Sequence, residues 1–221
     1  MKLSYLWGYT IMAETMRQLG KFKTLTPELN EAFQQWNMIA FKEGALSHKL
    51  KEIMAVAAAA TTGCDFCLDL HSKGAKRAGA TQEEVAEALM IATAAKAGSP
   101  FAHAANAMQA YNESTDDELF KKSYLMDAMA LKSLAPDDFK AFFNFTGAVV
   151  KEGALSVKEK ELITVAMTLI TGCPYCIDTH VKNAKKAGAT KEEVAETIFI
   201  ASALNAGSAY TQSAKALKNF D

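Results

Sequence analysis

The sequence predicts an all-α protein built from two copies of one helical unit. Three observations predict it: an internal repeat at a fixed offset, long apolar runs without the alternation typical of strands, and helix-capping residues that recur in both copies. An offset of 109 residues, the separation of Cys64 from Cys173, aligns Lys42–Met108 with Lys151–Leu217 without a gap. Two copies are too few for a solenoid, so we expect a tandem duplication.

The boundary between the two units is predicted in a polar joint. The segment QAYNESTDDELFKK, Gln109–Lys122, separates the aligned regions and has the composition of a linker. The equivalence continues upstream of the aligned regions, where Pro27 pairs with Pro136. We therefore predict a first unit with an N-terminal extension over residues 1–110 and a second unit over residues 111–221.

The first strongly predicted element of each unit is a buried helix. Ser47 and Ser156 occupy N-cap positions, and Ser156 begins a capping box with Glu159. The runs IMAVAAAATT, after Glu52, and LITVAMTLIT, after Glu161, contain no charged residue. Apolar runs of this length without period-2 alternation indicate helices that are buried on most sides.

The next helix of each unit begins at a Cys-x-x-Cys motif. Gly63 and Gly172 are expected to end the preceding helix, and Pro174 fits the first turn of the new one, where its missing N–H costs nothing. Gly79 and Gly188 suit the position just beyond the C-terminus, which favours a left-handed conformation. We therefore predict a helix between each pair of glycines.

A further helix follows in each unit. Thr81 and Thr190 each precede a glutamate by three residues, which is the capping-box pattern of a helix start. These helices are predicted to end near Gly98 and Gly207, with another helix beginning at Pro100.

Charge and hydropathy argue against several classes of protein. With 24 basic and 25 acidic residues the chain lacks a basic surplus for nucleic acid or anionic lipid. The N-terminus has no A-x-A-like cleavage site, and no run is long and apolar enough to span a membrane. We expect a soluble cytoplasmic protein, where a Cys-x-x-Cys pair is more often redox-active or metal-binding than a structural staple.

All four cysteines lie in the segments TGCDFCLDLH and TGCPYCIDTH. On a helix, both cysteines and the histidine four residues after the second share one face, so the imidazole can hydrogen-bond to or deprotonate the second thiol. The helix N-terminus also favours a thiolate, so both effects predict thiol pKa values lowered toward neutrality. The candidate residues are Cys64, Cys67 and His71 in the first unit and Cys173, Cys176 and His180 in the second.

Glu52 and Glu161 are candidate acids for the same sites. Each precedes the first cysteine of its motif by twelve residues, and a helix that returns antiparallel after the glycine would bring the histidine alongside it. The two side chains could then meet through one water, which would orient the imidazole. The alternative is a solvated glutamate near a helix start.

Other interpretations of the cysteines and histidines remain open. The four cysteines could bind one structural zinc, or each pair could form a static disulfide, although neither explains the two histidines. His48 and His103 are replaced by Val157 and Gln212 in the second unit, so we interpret them as surface or packing residues.

The pattern E-x11-C-x2-C-x3-H, followed by AKRAGAT or AKKAGAT and an EEVAE helix, resembles the alkylhydroperoxidase D (AhpD)-like, carboxymuconolactone decarboxylase superfamily. The resemblance covers residues 42–108 and 151–217 and implies a redox reaction without cofactor or metal. It implies that the second cysteine attacks a peroxide, the first resolves the sulfenic acid, the histidine is the base and the glutamate completes a proton relay. Carried over by position, these roles fall to Cys67 and Cys176, Cys64 and Cys173, His71 and His180, and Glu52 and Glu161.

The function predicted from this resemblance is a thiol peroxidase in antioxidant defence. Its implied partners are a peroxide substrate and a dithiol reductant, either a lipoylated or a thioredoxin-like protein. Relatives assemble from six units, which implies a homotrimer here, with the alanine-rich helices suited to the interface. The alternatives are a cofactor-free decarboxylase-like enzyme that uses His71 and Glu52, a protein disulfide oxidoreductase, and a non-enzymatic zinc-binding scaffold.

Overall fold

The computed structural model describes residues 12–111 and 120–221, without the side chains of residues 105–111. Every regular element in these ranges is helical. Residues 1–11 and residues 112–119, which include the middle of the predicted joint, lie outside the described residues. The elements are α1 (residues 12–20), α2 (Phe22–Leu25), α3 (Pro27–Phe41), α4 (His48–Thr62), α5 (Asp65–Arg77), α6 (Gln82–Tyr111), a short 3₁₀ turn (Lys122–Tyr124), α7 (Leu125–Ala128), α8 (Leu131–Leu134), α9 (Pro136–Val149), α10 (Val157–Thr171), α11 (Pro174–Lys186) and α12 (Lys191–Lys218).

The helix order confirms an all-α duplication. Helices α3 to α6 of the first repeat recur in the same order as α9 to α12 of the second. The boundary predicted between residues 110 and 111 stays a prediction, since the joint itself is largely outside the described ranges.

The predicted caps of α4 and α10 are confirmed. The Ser47 hydroxyl accepts the N–H of Leu50, and Ser156 forms the complete capping box. Both helices end at a glycine in the left-handed conformation, Gly63 with φ 70° and Gly172 with φ 72°. A residue with a side chain is strained at this conformation, so the glycines fix where the chain turns toward the cysteines.

The predicted ends of α6 and α12 were wrong. Helix α6 continues through Gly98 and Pro100, and α12 continues through Gly207. An interior glycine costs about 1 kcal/mol and an interior proline about 3 kcal/mol relative to alanine. Packing outweighs this cost: in the continuation of α6, Ala102 is buried and the Phe101 ring stacks on Phe142 with centroids 4.7 Å apart.

Helices α4 and α10 form the centre of one core that both repeats share. Residues 53–58 of α4 and 162–167 of α10 are almost entirely buried, and they belong to a single apolar cluster with residues of α6 and α12. Helix α4 packs against α12, and α10 packs against α6, so each central helix contacts the long helix of the other repeat. The expectation that these alanine-rich helices supply a subunit interface was therefore wrong, because they are already covered within the chain.

The repeated KEGALS segment has a structural role between the repeats. The Glu196 carboxylate of α12 accepts the N–H groups of Ala45 (2.7 Å) and Leu46 (3.0 Å) and pairs with the buried Lys51 ammonium at 2.8 Å. A Cβ on Gly44 would collide with this carboxylate, so the segment needs glycine there. The reciprocal set in the second segment is Glu87 of α6 with Ala154, Leu155, Lys160 and Gly153.

Within the described ranges, none of the helices combines the length and hydropathy needed to cross a bilayer.

Candidate active site

Each cysteine pair opens a helix of its repeat. Cys64 is the N-cap of α5 and its sulfur accepts the N–H of Cys67 at 3.2 Å; Cys173 is the N-cap of α11 and accepts from Cys176 at 3.4 Å. The first sulfur of each pair therefore caps its helix and satisfies one of the N–H groups that the first turn leaves without a partner.

The two repeats hold their cysteines in different redox states. Cys64 and Cys67 form a disulfide with their Cα atoms 5.2 Å apart, whereas Cys173 and Cys176 are free thiols. The backbone angles are nearly the same, φ −93° and ψ 93° at Cys64 against φ −91° and ψ 104° at Cys173. The same scaffold thus accommodates both the dithiol and the disulfide with little backbone movement.

A buried glutamate orients the histidine of each repeat. The Nδ1 atom of His71 lies 2.9 Å from Glu52 Oε2, and that of His180 lies 2.7 Å from Glu161 Oε2. In each pair the two side chains are in direct contact, whereas we expected a water between them. Helices α5 and α11 therefore run closer to the glutamates of α4 and α10 than the residue spacing suggested. A carboxylate only accepts hydrogen bonds, so Nδ1 donates and the neutral imidazole keeps its lone pair on Nε2.

The second oxygen of each glutamate has a different neighbour. Glu161 Oε1 accepts a hydrogen bond from Asn183 Nδ2 at 3.3 Å. In the first repeat Gly74 takes the place of Asn183, and a Cβ there would collide with the Glu52 carboxylate. The Nε2 atom of His48 lies 3.8 Å from Glu52 Oε1, so the interpretation of His48 as a surface or packing residue missed this contact. The spacing of four residues between His48 and Glu52 was the available signal.

Each histidine shares a cavity with the second cysteine of its repeat. Cys67 and His71 line a cavity of about 500 Å³, and Cys176 and His180 line one of about 300 Å³. No hydrogen bond joins either imidazole to a sulfur among the described residues. The expected direct imidazole–thiol bond is therefore replaced by a shared cavity, in which a bound molecule would contact both groups.

The electrostatics of the second site contradict one expectation. Burial, followed by the hydrogen bond and charge of Cys173, raises the pKa of the Cys176 thiol to about 12. We expected this thiol to ionise near neutrality, but burial and the neighbouring Cys173 outweigh the backbone N–H of Cys176, which lowers the pKa. Cys176 is thus accessible from the cavity but requires a base in order to lose its proton.

One side of each site is formed by residues of the long helix of the other repeat. Thr211 of α12 places its hydroxyl oxygen 3.1 Å from Cys64 Sγ and 3.4 Å from Cys67 Sγ. Ala102 of α6 occupies the equivalent position beside the second site and has no hydroxyl. Sequence reasoning missed Thr211; the signal available was that the two repeats differ at this position.

The described residues contain no cluster of three or more histidine, cysteine, aspartate or glutamate side chains that could hold a metal ion. The two cysteine pairs belong to separate apolar clusters, so the four sulfurs do not converge as a single zinc site requires.

Comparison with known proteins defines the class to which this chain belongs. The carboxymuconolactone decarboxylase family matches it twice, over residues 27–110 and 136–219, and the chain belongs to this family. The two matches confirm the tandem duplication and the resemblance drawn from the cysteine motif.

The relatives include proteins of known and unknown activity. An uncharacterized protein in the cox locus of Paracoccus denitrificans is 43% identical over 81 residues, which are 37% of this chain and 73% of the relative. The alkyl hydroperoxide reductase AhpD of Coxiella burnetii is 35% identical over 57 residues, 26% of this chain and 32% of that protein. An enzymatic function of the peroxidase or decarboxylase type agrees with this family.

A solved structure shares the fold along almost the whole chain. It is a Burkholderia xenovorans protein provisionally described as a gamma-carboxymuconolactone decarboxylase subunit. The two superimpose with a TM-score of 0.62 over 96% of this chain and 98% of that one, at 22% identity. This likeness concerns the fold alone.

Proposed function

We propose that the chain is a Cys-x-x-Cys thiol peroxidase that reduces hydrogen peroxide or alkyl hydroperoxides in antioxidant defence. The observation that carries the proposal is that nearly the same helix-start geometry fits a disulfide, at Cys64 and Cys67, and two free thiols, at Cys173 and Cys176. The proposal is also supported by a cavity in each repeat that is lined by both the second cysteine and the imidazole oriented by its glutamate.

In the first step, the sulfur of the second cysteine attacks the terminal oxygen of the hydroperoxide, the one that carries the hydrogen. The histidine Nε2 removes the thiol proton as the S–O bond forms, and the O–O bond breaks to leave a sulfenic acid and an alkoxide. The imidazolium returns that proton to the alkoxide, which leaves as an alcohol, or as water when the substrate is hydrogen peroxide. The raised pKa of Cys176 makes this base necessary at the second site.

In the second step, the first cysteine resolves the sulfenic acid. Its sulfur displaces hydroxide, the S–S bond forms, and the hydroxide leaves as water with the proton of the attacking thiol. The N-cap position of Cys64 and Cys173 holds each sulfur against the backbone N–H of the second cysteine, within reach of the sulfur that it attacks. The cycle closes when an external dithiol reduces the disulfide and is itself oxidised.

The proposed reductant is a lipoylated or thioredoxin-like protein in a reducing compartment such as the cytoplasm. We also propose a homotrimer. Large exposed apolar side chains on α3, rather than the alanine-rich helices, are its candidate contacts: Leu29, Met38 and Ile39. Light scattering should then give about three times the 23.9 kDa chain mass; a monomer at micromolar concentration would contradict the trimer.

The experiment that tests the peroxidase is turnover with a dithiol as electron donor and hydrogen peroxide or cumene hydroperoxide as acceptor. Activity should disappear in the Cys67→Ser, Cys176→Ser double variant, whose helix content and melting temperature serve as controls. Unchanged peroxide turnover in the double variant would refute the proposal. Replacing the peroxide by a protein disulfide tests the oxidoreductase alternative in the same assay.

A second candidate is a cofactor-free, decarboxylase-like enzyme. It is favoured by the Glu52–His71 and Glu161–His180 pairs, which are complete without any sulfur, and by the name of the family. Such an enzyme would remain active on a lactone acid after alkylation of every thiol, whereas the peroxidase would be inactivated.

A further inference from the structure

We infer that the two cysteine sites serve different substrates and that the first site takes a long-chain hydroperoxide carrying a carboxylate. This inference rests on the proposed peroxidase function and names the substrate class of its first site. It is argued from the two cavities, which are built from equivalent positions but differ in volume and in where their polar groups lie.

The first cavity is larger than a small peroxide requires. Its volume of about 500 Å³ lies within the range of ligand pockets, about 300–1,000 Å³. A water molecule occupies about 30 Å³ of the liquid, and hydrogen peroxide is only about twice that size. Apolar side chains such as Leu19, Leu70 and Leu204 line the space beyond Cys67, which suits an alkyl chain.

A polar group lies in the same cavity as the cysteine. The Tyr210 hydroxyl donates to Asn30 Oδ1 at 2.9 Å, which leaves the Asn30 Nδ2 group as a free donor among the described contacts. Burial raises the pKa of Tyr210, against a hydrogen bond from Gln34 that lowers it. The phenol therefore remains neutral and acts as a hydrogen-bonding group.

The second cavity replaces every member of this polar group by phenylalanine. Phe101, Phe139 and Phe143 occupy the positions equivalent to Tyr210, Asn30 and Gln34. Their rings pack together, with Phe101 and Phe143 centroids 5.3 Å apart and Phe139 and Phe143 centroids 4.5 Å apart. The remaining volume is about 300 Å³. The second site therefore suits hydrogen peroxide or a compact apolar hydroperoxide.

The second cavity also contains the Tyr175 hydroxyl, which is buried without a hydrogen-bond partner among the described residues and lies where the first cavity has Phe66. A single phenol beside Cys176 suits the oxygen of a small peroxide rather than a distant carboxylate. The threonine hydroxyls of this cavity are already engaged. Each donates to a carbonyl of its own helix, so none offers its proton to a ligand. These residues are Thr146, Thr164, Thr168 and Thr179.

The charge around the first cavity favours an anionic substrate group. Lys23 is exposed and lines the cavity, and no aspartate or glutamate is among its described lining residues. A carboxylate near Lys23 and Asn30 would gain a charge-assisted hydrogen bond and an amide donor. A substrate with its O–O bond at Cys67 and its carboxylate near Lys23 would lay its alkyl chain along the apolar side chains that line the cavity between these two residues.

Binding of the alcohol product tests the pocket without relying on turnover. We would titrate the reduced full chain with ricinoleic acid, a hydroxylated long-chain fatty acid, and with its methyl ester by calorimetry. We expect one molecule of the acid per chain, bound at least tenfold more tightly than the ester. The Tyr210→Phe, Asn30→Leu double variant should bind the acid at least tenfold more weakly, whereas Phe101→Tyr, the matched change in the other repeat, should bind it normally.

Because the double variant alters a buried hydrogen bond, Lys23→Gln provides a test at an exposed position. It should abolish the preference for the acid over the ester. Two equivalent molecules per chain, equal affinity for acid and ester, or unchanged affinity in both variant proteins would overturn the inference.

Single-site proteins connect binding with turnover. The Cys176→Ser protein should reduce linoleic acid hydroperoxide at least tenfold faster than the Cys67→Ser protein, while both reduce hydrogen peroxide. Equal rates with the fatty-acid hydroperoxide would overturn the inference. If ricinoleic acid binds as expected but neither protein reduces any peroxide, the peroxidase proposal fails and the pocket assignment stands.

Discussion

Replacing Glu161 by glutamine isolates the role of the carboxylate in the second site. The change is made in a Cys67→Ser protein, in which only the second repeat can turn over. Glutamine keeps the size of the side chain and can still accept the Nδ1–H of His180 through its amide oxygen. The Asn183 amide can rotate to accept from the new NH₂ group, so the change removes mainly the negative charge.

The magnitude follows from the hydrogen bond. A bond to a charged group contributes about 1.5–3 kcal/mol and a neutral one about 0.5–1.5 kcal/mol, so the centres of the two ranges differ by about 1 kcal/mol. At about 1.4 kcal/mol per factor of ten, the weaker hydrogen bond alone would lower the rate about fivefold. General base catalysis contributes about 10²–10⁴-fold in total, which sets the upper bound. Since the pKa of Cys176 is raised to about 12, we expect a loss of about 10- to 100-fold.

The assay is the initial rate of peroxide reduction at neutral pH with saturating dithiol. Glu52→Gln in the same Cys67→Ser protein is the matched control, because it makes the same change in the silent repeat and should leave the rate unaltered. A Glu161→Gln rate within twofold of its parent, with an unchanged melting temperature, would refute the proton relay.

Three further changes test other parts of the account. Gly74→Ala in a Cys176→Ser protein should slow turnover about tenfold, because its methyl group displaces the Glu52 carboxylate. Thr211→Ala should speed alkylation of the reduced first-site thiols about fivefold, because the Thr211 hydroxyl donates to the Ser208 carbonyl and accepts from a thiol, a hydrogen bond of about 1 kcal/mol that favours the protonated thiol. Glu196→Gln should lower the free energy of unfolding by about 3 kcal/mol at neutral pH, because it leaves the buried Lys51 charge without a counter-charge.

Matched changes in the other repeat serve as controls. Asn183→Ala should slow the second site less than Gly74→Ala slows the first, and Ala102→Thr should leave the first-site alkylation rate unaltered. Equal effects within either pair would contradict the assigned contacts.

The Glu196→Gln variant also has a distinct pH dependence. Burial raises the pKa of Glu196, but hydrogen bonds from Lys51, Leu46 and Ala45 outweigh it, and the pKa is lowered below 4.5. A lowered folded-state pKa contributes stability above about pH 4.5 that is lost as the pH falls through the folded value. Denaturant titrations should show the parent losing more stability than the variant on acidification. Parallel losses would exclude this carboxylate as a source of the pH dependence.

Local chemistry was sufficient to predict both ends of α4, α5, α10 and α11 and the starts of α6 and α12. Ser47, Ser156, Gly63 and Gly172 act on their own neighbours through caps and left-handed turns, so the sequence around each residue contains the relevant information. The ends near Gly98 and Gly207 failed for the opposite reason, since contacts with distant helices stabilise α6 and α12 beyond these glycines.

The sequence was sufficient to predict which residues form the centre of the candidate site. It was not sufficient to predict which residues of the other repeat line the cavity around them. Spacing on α4 and α5 was enough to suggest the Glu52–His71 pair, because one turn of chain joins the two helices. Thr211 and Tyr210 belong to the other repeat, and their placement depends on how the repeats pack. The raised pKa of Cys176 was also beyond sequence reasoning, because it depends on burial and on the hydrogen bond and charge of Cys173.

The most direct measurement is the mass of the fully reduced chain after brief exposure to one equivalent of hydrogen peroxide. A peptide map should show the loss of two hydrogen atoms at Cys64 and Cys67, or at Cys173 and Cys176, with the corresponding disulfide inside a single motif. Thiols that stay reduced over the same interval, or that gain oxygen without forming these disulfides, would contradict the account.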